Sequence, residues 1–254
     1  MQLFNRSYGD GEPMVILHGL FGSSDNWMTQ ARMLAAHFKV FTADLRNHGL
    51  STHDAVHSYE AMAEDVISLI LQTTGSPVTL IGHSMGGKVA MKVSVTRPEL
   101  VKRLIVVDIV PKPYPPHHNR LLEGLLALPV DTLASRQEAD ERLAGWVPQS
   151  DVRQFLLKNL SRKPEGGFAW KINLPALSAN MNDIFSNPLG DGVFEGPTDF
   201  IMGSRSDYFQ PGDETVIRKH FPAAGISFLD TGHWVQAEQP EAFVREVLRC
   251  CGIQ

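Results

Sequence analysis

The chain has 254 residues, of which 43% are hydrophobic and 20% are charged, a globular composition that excludes a disordered or fibrous protein. Its 23 Lys and Arg residues are outnumbered by 28 Asp and Glu residues, and the formal net charge of −5 argues against nucleic acid or an anionic membrane surface as a partner. A length of this order is compatible with a single α/β domain.

The cysteines and the N-terminal segment bear on where the protein is expected to work. The two cysteines, Cys250 and Cys251, are sequence neighbours, so they form neither a disulfide framework nor a zinc module on their own. Residues 1–13 contain charges and turn formers where a secretory signal needs an apolar run. No stretch approaches the roughly 18 uninterrupted apolar residues of a membrane-spanning helix. We therefore expect a soluble protein without a membrane span, located in the cytoplasm.

Short apolar segments alternate with longer segments along the chain, which predicts βαβ units and a mostly parallel sheet flanked by helices. The apolar segments lack polar alternation, as is typical of strands that are covered on both faces. An additional antiparallel edge strand is predicted at residues 3–8. The predicted core strands are residues 14–17, 40–43, 78–81, 104–107, 200–202 and 226–229.

Helices are predicted between these strands, over residues 27–37, 59–74, 86–96 and 238–251. In the second of them Met62, Val66, Leu69 and Ile70 recur at a one-sided spacing that buries a single stripe of the helix.

The alternation stops between residues 111 and 196. Prolines crowd at positions 111, 113, 115 and 116, and helical patterns follow at residues 121–128 and 137–146 without a clear sheet strand. Such a segment is too long for a loop and short for an independent domain. We expect a helical cap at 111–196, inserted after the sixth strand of a core formed by 1–110 and 197–254.

A candidate nucleophile lies at the end of the predicted strand 78–81, in the sequence Gly82-His83-Ser84-Met85-Gly86. The Gly-x-Ser-x-Gly pattern alone is weakly specific, but here a strand precedes it and a helix follows it. A serine on such a tight turn exposes its hydroxyl above the sheet, next to the positive end of the helix dipole. The alternative is an ordinary serine N-cap flanked by glycines.

A serine nucleophile needs a base within hydrogen-bond reach, and in this arrangement the base follows the last strand. His233, in the loop after residues 226–229, is the candidate; the alternative is a loop histidine bonded to backbone. His83 lies too close in sequence to face Ser84. His117, His118 and His220 lie in cap or surface contexts.

The third residue of such a triad is a carboxylate that orients the histidine. Asp108 closes the strand 104–107, and Asp207 follows the strand 200–202 by a few residues. Either can be a turn cap or a solvated loop charge instead. The spacing alone leaves both open.

Acyl transfer also needs two backbone N–H donors for the developing oxyanion. Met85, directly after the nucleophile, is one candidate. The loop His18-Gly19-Leu20-Phe21-Gly22 after the first core strand offers Leu20, with Phe21 as the fallback; the alternative is an ordinary glycine turn. With Trp234, these residues would also form apolar walls of a substrate pocket.

With these segments in place, the chain resembles the α/β-hydrolases and is most similar to the YbfF-type esterases. The resemblance covers nearly the whole chain, cap included, and also includes residues 61–65 of the helix predicted at 59–74. The other matching stretches are HGLFGSSDNW (18–27), DLRNHGLS (44–51), IGHSMGGK (81–88), VVDIVPKPY (106–114), FLLKNL (155–160) and GHWVQAE (232–238).

This resemblance implies an α/β-hydrolase fold and a carboxylesterase or thioesterase that acts on a small-molecule ester without cofactor or metal. It also implies that Asp108 is the acid and that Ser206 lies near the histidine, although Asp207 beside Ser206 departs from the pattern and keeps the alternative open.

The sequence leaves more than one possibility open for the residues that contact substrate and for the reaction that the triad carries out. Candidates for substrate contact are Phe21, Tyr114, Phe155, Trp170, Tyr208 and Trp234. A C–C bond hydrolase or a perhydrolase would keep the same triad, and a ligand-binding protein could use the fold without turnover. The sequence leaves the oligomeric state open.

Overall fold

The computed structural model describes residues 1–115 and 119–253. His117 and His118, two of the histidines weighed against His233, lie outside the described residues.

Nine strands are present in the described residues, and seven of them form one sheet in the order β1-β3-β2-β4-β5-β8-β9. Within this sheet β1 pairs with β3 in antiparallel orientation and every other neighbouring pair is parallel. The predicted α/β-hydrolase fold class is thereby confirmed. The strands are β1 Asn5–Tyr8, β2 Glu12–Leu17, β3 Phe38–Ala43, β4 Val78–His83, β5 Val101–Val107, β6 Leu160–Arg162, β7 Phe168–Trp170, β8 Thr198–Gly203 and β9 Gly225–Leu229.

Helices cover both faces of the sheet because its central strands bury side chains on both sides. Alternate residues of β2 show this: Met14 and Ile16 belong to one apolar cluster, Val15 and Leu17 to the other. The helices are α1 Met28–Leu34, α2 Tyr59–Thr73, α3 Met85–Thr96, α4 Asn119–Ala127, α5 Arg136–Leu143, α6 Ser150–Leu157, α7 Leu174–Ala179, α8 Met181–Phe185, α9 Asp213–His220, α10 Val235–Glu238 and α11 Pro240–Cys250.

The chain between β5 and β8 contains helices α4 to α8 and the small antiparallel pair β6–β7. Five strands precede this segment, so the expected position after a sixth strand was wrong. The reason is that the N-terminal edge of the sheet consists of the single strand β1, which pairs directly with β3. The division into a core of 1–110 with 197–254 and a cap of 111–196 stays a prediction.

The turn that carries Ser84 is built on glycines that allow close backbone packing. A Cβ atom at Gly86 would lie 2.4 Å from the carbonyl oxygen of His18, and one at Gly82 would lie 2.2 Å from that of Gly86. Both contacts are with backbone atoms, which cannot rotate aside as the end of a flexible side chain can. The glycines therefore let β4 turn directly into α3 beside the loop after β2.

Among the helices of the described residues, none has the length and apolar character that crossing a bilayer requires.

Candidate active site

The predicted site residues follow four adjacent strands of the sheet. Ser84 follows β4, Asp108 follows β5, Ser206 lies just beyond β8 and His233 lies beyond β9. Because these strands are parallel and adjacent, their carboxyl ends lie at one edge of the sheet, where α/β folds place their binding crevices. Tertiary structure thus brings together residues as far apart in sequence as 84 and 233.

Ser84 occupies the tight turn between β4 and α3. Its backbone has φ 53° and ψ −120°, and a positive φ is rare for a residue with a side chain. The amide of Ser84 donates to the carbonyl of Val107 at 3.0 Å, which ties the turn to the end of β5. A strained serine at the end of a strand and the start of a helix matches the geometry that the Gly-x-Ser-x-Gly pattern predicts.

Asp108 is fully buried at the end of β5 and also has a positive φ, 49°. Its Oδ2 atom accepts hydrogen bonds from His233 Nδ1 at 2.7 Å and from the Ser206 hydroxyl at 2.5 Å. Its Oδ1 atom accepts from the amide of Gly203 at 2.9 Å. These three donors compensate the loss of solvation that a buried carboxylate suffers.

Asp207 has a different environment although it follows Ser206 directly. The residue is exposed, and its carboxylate makes no hydrogen bond or ion pair within residues 1–115 and 119–253. The carboxylate in contact with His233 is therefore that of Asp108.

His233 is held on three sides. Its Nδ1 atom donates to Asp108, the ring of Tyr208 stacks on it with centroids 4.1 Å apart and planes 19° apart, and its carbonyl accepts from His83 Nε2 at 2.9 Å. With Nδ1 protonated toward the carboxylate, Nε2 of the neutral ring is the basic nitrogen. Ser84 and His233 line the same cavity.

The described residues include no hydrogen bond between the Ser84 hydroxyl and His233. In many enzymes this bond tightens only when substrate binds.

The loop after β2 forms a tight turn in which Gly22 donates to the carbonyl of Gly19 at 2.9 Å. The amide of Phe21 donates to His48 Nε2 at 3.2 Å, so Phe21 is not available as the fallback oxyanion donor. The amides of Leu20 and Met85 have no hydrogen-bond partner among the described residues, and both residues line the cavity. For Met85 this follows from its place in the first turn of α3, where amides have no partner within the helix.

A cavity of about 850 Å³, counting the space at its open mouth, lies above Ser84. Its walls include Phe21, Tyr114, Tyr208 and Trp234, four of the six residues predicted to contact substrate. Phe155 also lines it and lies against Trp234, with ring centroids 5.4 Å apart. Trp170, the remaining candidate, lies in strand β7, where it pairs with Leu160, and is not among the described residues that line the cavity.

Lys88 is a cavity residue that sequence reasoning missed. It lies one helical turn after Ser84, is 2% exposed, and its ammonium donates to the carbonyls of Phe185 and Ser186 at the end of α8. The same ammonium lies 4.9 Å from the centre of the Tyr114 ring. Burial lowers the pKa of Lys88 to about 7. The sequence did offer one indication of this position. Lys88 follows Ser84 by four residues, so a helix that starts at the serine turn places both residues on the same face.

Replacing Lys88 with methionine, which is similar in length but uncharged, is expected to change how stability depends on pH. Between about pH 7 and about pH 10 the unfolded chain holds this proton more strongly than the folded chain, so the free energy of unfolding rises with pH. In this range the free energy of unfolding of the wild type should rise, relative to that of Lys88→Met, by up to about 1.4 kcal/mol per pH unit. Urea unfolding of both proteins across these pH values measures the difference; a constant or falling difference contradicts the expectation.

No group of three or more His, Cys, Asp or Glu side chains in the described parts of the chain is arranged to hold a metal ion.

Comparison with known proteins identifies the family. A family model described as the alpha/beta hydrolase fold matches residues 12–240. The chain belongs to the α/β-hydrolases.

Several relatives of this α/β-hydrolase are esterases or lipases by name. It is 39% identical to the sn-1-specific diacylglycerol lipase ABHD11 of Danio rerio over 94% of this chain and 78% of that protein. It is 32% identical to Esterase YbfF of Escherichia coli (strain K12) over 94% of this chain and 93% of that protein. A solved structure described as a marine microorganism esterase superposes with a TM-score of 0.94 at 39% identity, covering 98% of this chain and 99% of that chain. The resemblance to YbfF-type esterases is confirmed.

Proposed function

We propose that this α/β-hydrolase is a serine carboxylesterase that cleaves esters of short to medium acyl chains, and thioesters of similar size, through an acyl-enzyme on Ser84. The observation that carries the proposal is the hydrogen bond from His233 to the buried Asp108, at the edge of the cavity that contains Ser84. The esterase and lipase names of its relatives support ester hydrolysis as the reaction class.

In the acylation step the Ser84 oxygen attacks the ester carbonyl carbon while His233 Nε2 takes the serine proton. The carbonyl oxygen becomes an oxyanion that accepts hydrogen bonds from the amides of Leu20 and Met85. Asp108 holds the imidazole through Nδ1 and stabilises its charged form. His233 then gives the proton to the departing alkoxide, which leaves as the alcohol, and the acyl group stays on Ser84.

In the deacylation step water replaces the alcohol. His233 removes a proton from water as its oxygen attacks the acyl carbonyl, and the same amides stabilise the second oxyanion. Collapse of this intermediate returns the proton from His233 to the Ser84 oxygen and releases the carboxylic acid. The cycle consumes one ester and one water and needs neither cofactor nor metal.

The proposed acyl range follows from the cavity. Aromatic and aliphatic side chains close it on the side of the 111–196 segment, including Val152, Phe155 and Leu156 of α6. We propose that short and medium acyl chains are enclosed among these side chains, as is typical of small ligands in apolar clefts.

A series of p-nitrophenyl esters from acetate to palmitate tests the proposal. We expect kcat/KM to be highest for short and medium chains in solution. Turnover restricted to emulsified long-chain esters would instead indicate a lipase. Absence of turnover on every ester and thioester in the series would overturn the proposal and favour a ligand-binding role or another reaction of the same triad.

A further inference from the structure

The turn that presents the Leu20 amide contains a strained residue. Phe21 is the third residue of the turn Gly19-Leu20-Phe21-Gly22 and has φ 60°. This position favours glycine or asparagine, and a bulky residue there is strained. Interactions outside the turn must therefore hold it in this conformation.

Two buried side chains bind the backbone of Phe21 from opposite sides. His48 Nε2 accepts the Phe21 amide at 3.2 Å, and Asn159 Nδ2 donates to the Phe21 carbonyl at 2.8 Å. His48 is fully buried and Asn159 is 3% exposed. Because both backbone groups of Phe21 are paired, the two peptide units that flank it are held in place. The Leu20 amide belongs to the preceding peptide unit, whose Gly19 carbonyl accepts from the Gly22 amide at 2.9 Å, so its direction depends on the turn conformation that Phe21 maintains.

His48 is set up to accept this hydrogen bond. Its Nδ1 atom donates to the carbonyl of Arg46 at 2.9 Å, which leaves Nε2 as the acceptor of a neutral ring. Burial, followed by the nearby His18 and His57, holds the pKa of His48 well below its usual range. Arg46 and His53 are the other ionisable residues facing this histidine, through a carbonyl and a side chain respectively. His48 therefore stays neutral in the range where an esterase operates.

Asn159 belongs to a different part of the chain and is the second residue after α6. Its backbone amide and its side chain both donate to the carbonyl of Leu156, at 3.1 Å each, and its carbonyl accepts from Lys171 at 2.8 Å. The side chain is thus fixed to the end of α6. The same helix lines the cavity with Val152, Phe155 and Leu156.

We propose that Asn159 is a positioning residue that couples α6 to the oxyanion turn, so that the Leu20 amide is held in its working direction only while α6 lies over the cavity. This inference rests on the proposed function, because it gives the turn its oxyanion role. Its consequence is that contacts between substrate and α6 are transmitted to the group that stabilises the transition state.

Asn159→Ala and Asn159→Asp test the coupling, the second keeping the size of the side chain while replacing its donor with an acceptor. Asn180→Ala is the matched control, since Asn180 also joins the 111–196 segment to the core, by donating to the carbonyl of Ala55 at 3.0 Å, but does not contact the turn. We expect kcat on p-nitrophenyl butyrate to fall about 10–100-fold in both Asn159 variants, less than the loss of a direct oxyanion donor, with KM within about twofold. The inhibition constant of a trifluoromethyl ketone, which forms an oxyanion on the serine, should rise by the same factor.

Hydrogen exchange of the peptide that contains residues 19–22 gives a readout that does not need activity. It should be faster in Asn159→Ala and Asn159→Asp than in the wild type and unchanged in Asn180→Ala. Equal kcat, inhibition constants and exchange in Asn159 and Asn180 variants would overturn the coupling. The two proposals can also fail separately. If the wild type hydrolyses no ester but exchange is still faster in the Asn159 variants, the proposed function is wrong and the coupling stands.

Discussion

Replacing Ser84 with alanine is expected to lower kcat for ester hydrolysis by about 10⁶, because no other group can form the acyl-enzyme; loss of a serine nucleophile in a comparable triad has an effect of this size. KM should change little, since the cavity walls remain. Kinetics on p-nitrophenyl butyrate measures the loss, and labelling by a fluorophosphonate probe reports the nucleophile directly.

Ser204→Ala is the control for this substitution, since Ser204 is an exposed serine at the end of β8. It should leave both kcat and fluorophosphonate labelling unchanged. Labelling that persists in Ser84→Ala would place the nucleophile elsewhere. Absence of labelling in the wild type would favour a ligand-binding member of the fold.

Asp108→Asn is expected to lower kcat by about 10⁴, the loss seen when the triad acid of a serine protease is replaced by its amide. The asparagine fills the same space, but its NH₂ group donates a hydrogen bond to His233 Nδ1. This favours the tautomer of His233 that has its proton on Nε2, and Nε2 then cannot take the proton of Ser84. The substitution also removes the acceptor that holds Ser206. Comparison of kcat for purified wild type and variant measures the effect.

Asp207→Asn is the matched control, because it makes the same chemical change directly before Tyr208, whose ring stacks on His233, but on an exposed side chain. Its kcat should stay within about twofold of the wild type, as expected for a surface substitution. If Asp207→Asn loses activity and Asp108→Asn keeps it, the assignment of the acid is wrong.

The sequence predicted correctly those elements whose pattern lies within one short stretch of the chain. The strand, glycine turn and helix around Ser84 lie within twenty residues, and the positive φ of Ser84 in the structure agrees with the strain that this pattern predicts. The predicted bounds of the buried strand β4 and of the amphipathic helix α2 differ from the observed bounds by no more than two residues. The short helices α6 to α8 and the three-residue strands β6 and β7 were missed, since segments of this length contain too few periods of hydrophobicity to identify them.

The identity of the carboxylate shows what spacing leaves open. Asp108 and Asp207 both follow strands that end at the same edge of the sheet, so sequence placed both near His233. The structure buries one in a network of three hydrogen bonds and exposes the other. The difference arises because Asp108 directly follows β5 and its amide still pairs with the carbonyl of Ile201 in β8, whereas Asp207 lies four residues beyond the end of β8 on the surface.

By itself the sequence determined the α/β class, the elbow with Ser84 and the position of His233 after the last strand, because each depends on a contiguous pattern. Tertiary structure showed that the carboxylate in contact with His233 is Asp108, which the family resemblance implied and spacing left open against Asp207. Tertiary structure alone decided which amide of the turn stays unpaired and that His48 and Asn159 bind Phe21. Those contacts join residues separated by 27 to 138 positions. Hydrogen bonds over such separations depend on how strands and helices pack, and no local pattern of residues encodes them.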